Sequence, residues 1–153
     1  MDMPKPSAGH QKLELLVGRW EGNENMYPSQ WDPKGGTAFG RTTSRLGLGR
    51  FALISDYEQD RDGTITFSGH GVYTYDAKSE QYSLFWFDSM GSPPEVFVGG
   101  FTDDVLTLSH AGPPMHVRLT WDLTEPGVLA SSMEMSDDGV TWNTLFDAEY
   151  RRV

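Results

Sequence analysis

The chain has 153 residues, of which 37% are hydrophobic and 12% aromatic, and it carries a net charge of −10. This length suits a single domain, and the acidic charge argues against nucleic acid or an anionic membrane surface as a partner. Because the chain has no cysteine, disulfides, thiolate catalysis and cysteine-ligated metal sites are excluded. No apolar run has the length of a membrane span or the pattern of a signal peptide, so we expect a cytoplasmic protein.

The N-terminal segment predicts a tail followed by a short helix. Residues 1–6 contain two prolines and predict a flexible tail, and residues 7–153 predict one domain. Ser7 can cap the helix and Gly18 can end it. Its apolar residues follow helical spacing: Leu13, Leu16 and Val17. We interpret this helix as a cover over one end of the domain.

After Gly18 the hydrophobic pattern changes to the two-residue period of β-strands. Turn sequences separate the apolar runs, among them Arg61-Asp62-Gly63 and Ala111-Gly112-Pro113-Pro114. The pattern predicts about ten strands. They cover residues 19–27, 36–46, 50–58, 64–75, 81–89, 94–101, 104–110, 115–123, 127–135 and 140–151.

Short connections predict that consecutive strands pair as antiparallel neighbours. A long meander of this kind hides its edges by closing on itself. The sequence therefore predicts an all-β fold, a closed antiparallel up-and-down β-barrel with a short N-terminal helix. A two-sheet sandwich is the alternative, but its crossovers need longer loops than this chain offers outside residues 28–35.

The predicted strand 81–89 is apolar on both faces, from Leu84 to Phe87. Such a strand is expected to be covered on its outer side as well. The cover could be the N-terminal helix or a second subunit, which makes this strand a candidate homodimer contact.

The entry Gly18-Arg19-Trp20 resembles the G-x-W entry of calycin-type barrels, the lipocalins and fatty-acid-binding proteins. In those barrels an arginine near the last strand packs on the tryptophan, which implies a closure built from Gly18, Trp20 and either Arg151 or Arg152, with Arg151 as the first candidate. Nitrobindin-type haem barrels continue this entry with a glycine where the present chain has Glu24.

A second group of motifs is similar to an uncharacterised bacterial barrel family of the DUF1579 type. The motifs are Gly69-His70-Gly71, Tyr75-Asp76 and Trp86-Phe87-Asp88-Ser89-Met90-Gly91. This resemblance implies a lipocalin-like barrel and no established reaction.

Several polar residues are candidates for a site. His70 lies between two glycines that leave room on one face of the strand, and it is either a functional imidazole or the structural partner of a carboxylate. Asp88 shares a face with Trp86; it either faces a wet cavity, partnered by His70 or Tyr57, or begins a turn. Met90 either lines a pocket mouth or fills space.

Arg118 lies on the polar face of a strand whose other face is apolar. If it points inward, it resembles the arginine with which fatty-acid-binding barrels hold a carboxylate. If it points outward, it is a surface group, and the apolar alternation of Val117, Leu119 and Trp121 favours this orientation.

The chain contains none of the common catalytic motifs. The leading hypothesis is that a barrel cavity binds a small apolar or amphipathic molecule. The candidate ligand-binding residues are Tyr57, His70, Trp86, Asp88, Met90 and Arg118. One alternative is an enzyme that uses His70 and Asp88 as an acid–base pair on a carbonyl or ester compound. The other is haem binding through His110 or His116; no other cofactor and no metal site are predicted.

Overall fold

The structure is a computed structural model that describes residues 1–112 and 114–153. Pro113, which belongs to a predicted turn, lies outside the described residues. The chain forms a short helix, a 3-10 turn and ten strands. They are α1 (Ala8–Lys12), the 3-10 turn (Leu13–Leu16), β1 (Gly18–Met26), β2 (Gly36–Gly47), β3 (Ala52–Arg61), β4 (Thr64–Asp76), β5 (Gln81–Asp88), β6 (Glu95–Thr102), β7 (Val105–His110), β8 (His116–Asp122), β9 (Val128–Ser136) and β10 (Asn143–Arg152).

All ten strands form one closed barrel in which each strand pairs antiparallel with its neighbour in sequence. The ring closes where β1 pairs with β10, from Trp20 opposite Arg152 to Met26 opposite Phe146. Closure leaves no strand edge unpaired. The predicted all-β, up-and-down barrel with a short N-terminal helix is therefore confirmed, and the sandwich alternative is wrong.

Two strand ends differ from the predicted bounds by three residues. β3 continues to Arg61 because an irregularity at Gln59 and Asp60 preserves its pairing with β4 up to the turn. β10 begins only at Asn143, since the Asp138 carboxylate accepts the backbone N–H groups of Val140 and Thr141 at 2.8 Å each and holds them in a turn.

The N-terminal helix closes one end of the barrel. Leu13 and Leu16 are buried against the barrel core. The indole N–H of Trp20, itself only 1% exposed, donates to the Leu16 carbonyl oxygen at 3.0 Å. This hydrogen bond joins the first strand to the helical segment, so the helix is a cover for the barrel end, as predicted.

Arg152 completes this closed end, and the assignment of Arg151 to that role is wrong. The Arg152 guanidinium lies 4.4 Å from the centre of the Trp20 ring and donates to the Val17 carbonyl oxygen at 2.6 Å. Arg151 instead pairs with Glu149 at 2.7 Å. The reason is the two-residue period of β10, which puts Arg152 opposite Trp20 and turns Arg151 to the outer face. Gly18 allows the close approach, since a Cβ there would lie 2.8 Å from the Arg152 guanidinium.

The helix does not cover the outer side of β5. It lies across the barrel end, and Phe85 and Phe87 on the outer face remain 39% and 47% exposed. Of the two covers expected from the sequence, the helix is therefore excluded.

The closed end leads to a prediction about Arg152. Replacing it with alanine removes a cation–π contact and a hydrogen bond, so we expect Arg152→Ala to lower the free energy of unfolding by about 1 kcal/mol. Arg151→Ala is the matched control and should change it by less than about 0.5 kcal/mol. Urea unfolding followed by circular dichroism measures both values, and equal losses would contradict the assignment of Arg152.

Candidate functional site

The interior of the barrel has two different halves. Next to the helix, inward leucines pack together in the core: Leu53, Leu84, Leu106 and Leu108 are at most 1% exposed. In the other half, many inward side chains are partly exposed although every strand is paired on both sides. Because solvent reaches the inward side chains of a closed barrel only through its open end or its interior, this half is less tightly packed than the half beside the helix. We call it the open chamber; its apolar walls are Met26, Phe67, Trp86, Val117, Leu119, Met133 and Phe146.

A buried polar group lies in the wall of the open chamber. Glu24 on β1 is 0% exposed. Its carboxylate accepts hydrogen bonds from the hydroxyls of Tyr57, at 2.6 and 2.9 Å to the two oxygens, and of Tyr150. The amide of Gln59 donates to it at 3.3 Å. We call these four residues the Glu24 cluster.

Small neighbours make room for this carboxylate inside the barrel. Glu24 lies opposite Ala38 on β2 and Ala148 on β10. A Cβ at Gly40 would overlap both the Glu24 carboxylate and the Tyr150 ring. The local sequence therefore leaves a recess in which one charged side chain fits and is fully hydrogen-bonded.

Burial determines the electrostatics of the cluster. Desolvation raises the pKa of Glu24, and the hydrogen bonds from Tyr150, Tyr57 and Gln59 oppose this increase. Burial and then the nearby Glu24 charge raise the pKa values of Tyr57 and Tyr150 far above the usual range. Both phenols therefore keep their protons at neutral pH and act as neutral donors to the carboxylate.

Of the residues predicted for the site, Tyr57 and Trp86 face the open chamber. Their rings are 6.5 Å apart, and Phe67 lies 6.1 Å from Tyr57. Trp86 occupies the gap that Gly69 and Gly71 leave on β4, because a Cβ at Gly69 would overlap its indole. The two glycines thus accommodate a neighbouring strand's side chain.

His70 and Asp88 lie on opposite faces of the sheet. His70 is on the outer face, where its Nδ1 lies 2.6 Å from the Asp56 carboxylate and its side chain is 47% exposed. Asp88 is on the inner face at the end of β5 and accepts the Trp86 indole N–H at 2.9 Å and the Met90 backbone N–H at 3.0 Å. The structure does not bring His70 and Asp88 together. Asp88 begins the turn, as one alternative predicted, and although it faces inward its partner is neither His70 nor Tyr57 but the Trp86 indole.

Met90 and Arg118 lie away from the open chamber. Met90 is in the turn after β5 and is 74% exposed. Arg118 is on the outer face, where it donates two hydrogen bonds of 3.0 Å to Glu134 and stacks 4.1 Å from the centre of the Trp142 ring. No carboxylate clamp of the fatty-acid-binding type is therefore formed by Arg118.

The two histidines considered for haem lie in different environments. His110 faces inward at the open end of the barrel, with its Nδ1 3.2 Å from the Val96 carbonyl oxygen and its ring 5.9 Å from Phe97. His116 is on the outer face beside Gly139. Across the described part of the chain, no three His, Cys, Asp or Glu side chains are grouped in a way that could hold a metal ion.

Sequence reasoning missed Glu24 and Tyr150. A signal existed, because Glu24 follows Trp20 at four residues on the same strand and therefore shares its inward face. A charged side chain at such a position needs an internal partner. Tyr150 lies on the inner face of the last strand, but its contact with Glu24 depends on ring closure.

A second concavity lies outside the barrel. It is a groove of about 570 Å³ at the closed end, between the helical segment and the connection from β8 to β9. Its cations are already engaged, since Arg152 stacks on Trp20 and Lys12 lies 4.9 Å from the centre of the Phe101 ring. We therefore place the candidate site at the open chamber, which has a buried polar group in an apolar wall.

Comparison with known proteins adds evidence on fold and family. The crystal structure of Rv2717c from M. tuberculosis matches with a TM-score of 0.73 and 18% sequence identity, covering 96% of this chain and 98% of that one. At this identity the likeness shows the fold. No curated protein matches the chain.

Within the described residues, neither helical segment has the length and apolar character needed to traverse a bilayer.

The family model described as a protein of unknown function (DUF1579) matches residues 5–152, nearly the whole chain. This match agrees with the motifs around His70 and Trp86, and the chain accordingly belongs to the DUF1579 family.

Proposed function

We propose that the protein binds a small apolar or amphipathic molecule in the open chamber. The observation that carries this proposal is a half-barrel whose inward apolar side chains are partly exposed around one fully buried carboxylate. Small-molecule sites generally combine a mostly apolar lining with a few placed polar groups, and the mouth of a barrel is a common location.

The lining suits a ligand with an apolar body. Trp86 and Phe67 offer large flat surfaces, and Met26 and Met133 are flexible side chains that adapt to irregular shapes. A barrel of eight or more strands has room for one small ligand in addition to its own side chains. The polar end of an amphipathic ligand would reach the Glu24 cluster through Tyr57, which remains partly exposed.

Entry is expected at the end opposite the helix. There the loop between β1 and β2 is connected to the barrel wall by an ion pair of 3.0 Å between Asp32 and Arg61. The Tyr27 hydroxyl, at the start of the same loop, donates to Asp147 at 2.6 Å. These contacts hold the rim loop against the strands on both sides.

Filling the chamber should abolish binding. Leu119 points inward and the adjacent Thr120 points outward, so we expect Leu119→Trp to weaken binding of the neutral dye Nile red by at least about tenfold, whereas Thr120→Trp leaves it unchanged. Dye fluorescence measures both affinities, and native mass spectrometry of the purified protein identifies a co-purified ligand. Equal binding by the two variants would show that the dye site is outside the chamber.

The same samples distinguish the haem alternative. Haem binding through His110 would produce a Soret shift on titration with haemin, and His110→Ala would remove it. That result would contradict an apolar or amphipathic organic ligand as the occupant of the chamber.

We also propose that a second copy of the chain covers the outer face of β5 and β6. This face carries Phe85, Phe87, Val96 and Val98, which are 38–47% exposed. Contiguous exposed apolar patches are uncommon in monomers, and a two-fold dimer buries the same patch of both copies. Both edges of β5 are already hydrogen-bonded, so the contact would be made by side chains.

The dimer proposal predicts a mass of twice 17.1 kDa by light scattering. Phe87→Ser should shift the protein to the monomer, because it places a polar group within the apolar contact. Val140→Ser changes an exposed apolar residue in a distant turn and is the control. A wild-type protein that remains monomeric at all concentrations would refute the proposal.

A further inference from the structure

The Glu24 carboxylate is surrounded by neutral donors only. Its partners are two phenols and an amide. Among the ion pairs of the described residues, none includes Glu24. Removing a charge from water without an opposite charge is costly, so a cation that entered the chamber would gain free energy from this group.

The charged groups near the cluster do not supply that cation. Gly40 and Ala38 face Glu24 from β2, and Ala148 and Tyr150 face it from β10. From β3, Arg61 acts on Glu24 through its field, but its guanidinium is paired with Asp32 at the rim.

The groups that a ligand meets first also favour a cation. The Tyr57 hydroxyl hydrogen is directed to Glu24 and its oxygen already accepts the Gln59 amide at 3.2 Å, so this hydroxyl has no hydrogen to donate to an anionic ligand head. The rings of Phe67 and Trp86 lie 6.1 and 6.5 Å from the Tyr57 ring, and aromatic rings attract cations through their quadrupoles. An anionic head would meet a buried negative charge here, while the arginine that could have neutralised it, Arg118, is outside the barrel.

We propose that the open chamber selects a ligand with a protonated amine head over the same molecule with a carboxylate head, and that Glu24 is the residue that determines this preference. The inference rests on the proposed binding function, because it specifies the class of molecule that the chamber takes.

The test uses three probes with one chain length: decylamine, decanol and decanoate, each below its micelle concentration at pH 7 and low salt. Their affinities come from displacement of Nile red. Decylamine should bind at least about tenfold more tightly than decanoate, with decanol between them. In Glu24→Gln, which preserves the size of the side chain, this difference should fall to about twofold.

A matched control separates Glu24 from the general acidic field. Glu149→Gln removes one negative charge from the outer face of β10, close to the cluster but outside the chamber. It should leave the preference for decylamine intact. If Glu24→Gln and Glu149→Gln behave alike, the preference arises from the overall charge of −10 and the inference is wrong.

The remaining outcomes distinguish the two proposals. If Nile red does not bind at all, the proposed binding function fails and the inference fails with it. If Nile red binds but decylamine displaces it no better than decanoate, the binding function stands and the assignment of an amine ligand is overturned. The wild-type comparison decides this even if Glu24→Gln proves unstable.

Discussion

The pairing of β1 with β10 is the interaction on which the rest of the structure depends. Seven residue pairs join these strands, from Trp20–Arg152 to Met26–Phe146. At one end of this seam the pairing brings Arg152 onto Trp20 and closes the barrel beside the helix. Near the other end it brings Tyr150 to Glu24, 126 residues away in sequence. The contact of Arg152 with Trp20 and the Glu24 cluster thus both depend on the pairing of β1 with β10.

The difference between the two halves of the barrel follows from the sizes of the inward side chains. Near the helix, leucines from opposite walls meet and exclude solvent. Farther along, Gly40 on β2 and Gly69 and Gly71 on β4 replace larger side chains, and the space they leave is taken up by the Glu24 carboxylate and the Trp86 indole. Small residues on β2 and β4 therefore allow a polar group and a flat aromatic surface to lie within the wall.

Much of the fold could be predicted from the sequence because each strand is indicated by the pattern of its own neighbouring residues. Alternation of apolar and polar residues identified each of the ten strands, and short turns implied their antiparallel order. The site was harder to predict from the sequence, since it depends on which residues of different strands meet once the barrel has closed. The period of two placed Trp86 and Asp88 correctly on one face, but choosing between Arg151 and Arg152 required the register of β10 against β1. His70 was a candidate because of its flanking glycines, but the space beside these glycines is occupied by the Trp86 indole.

The 126-residue separation of Glu24 and Tyr150 has a consequence for folding. Contacts between distant parts of a chain form slowly because a long loop must first be closed. Until the last strand has been synthesised and docked, β1 and β9 each present a free edge, and Glu24 remains hydrated instead of enclosed by phenols. The open chamber therefore forms only at the final step of assembly, and a chain truncated before residue 143 would have neither the complete barrel nor the Glu24 cluster.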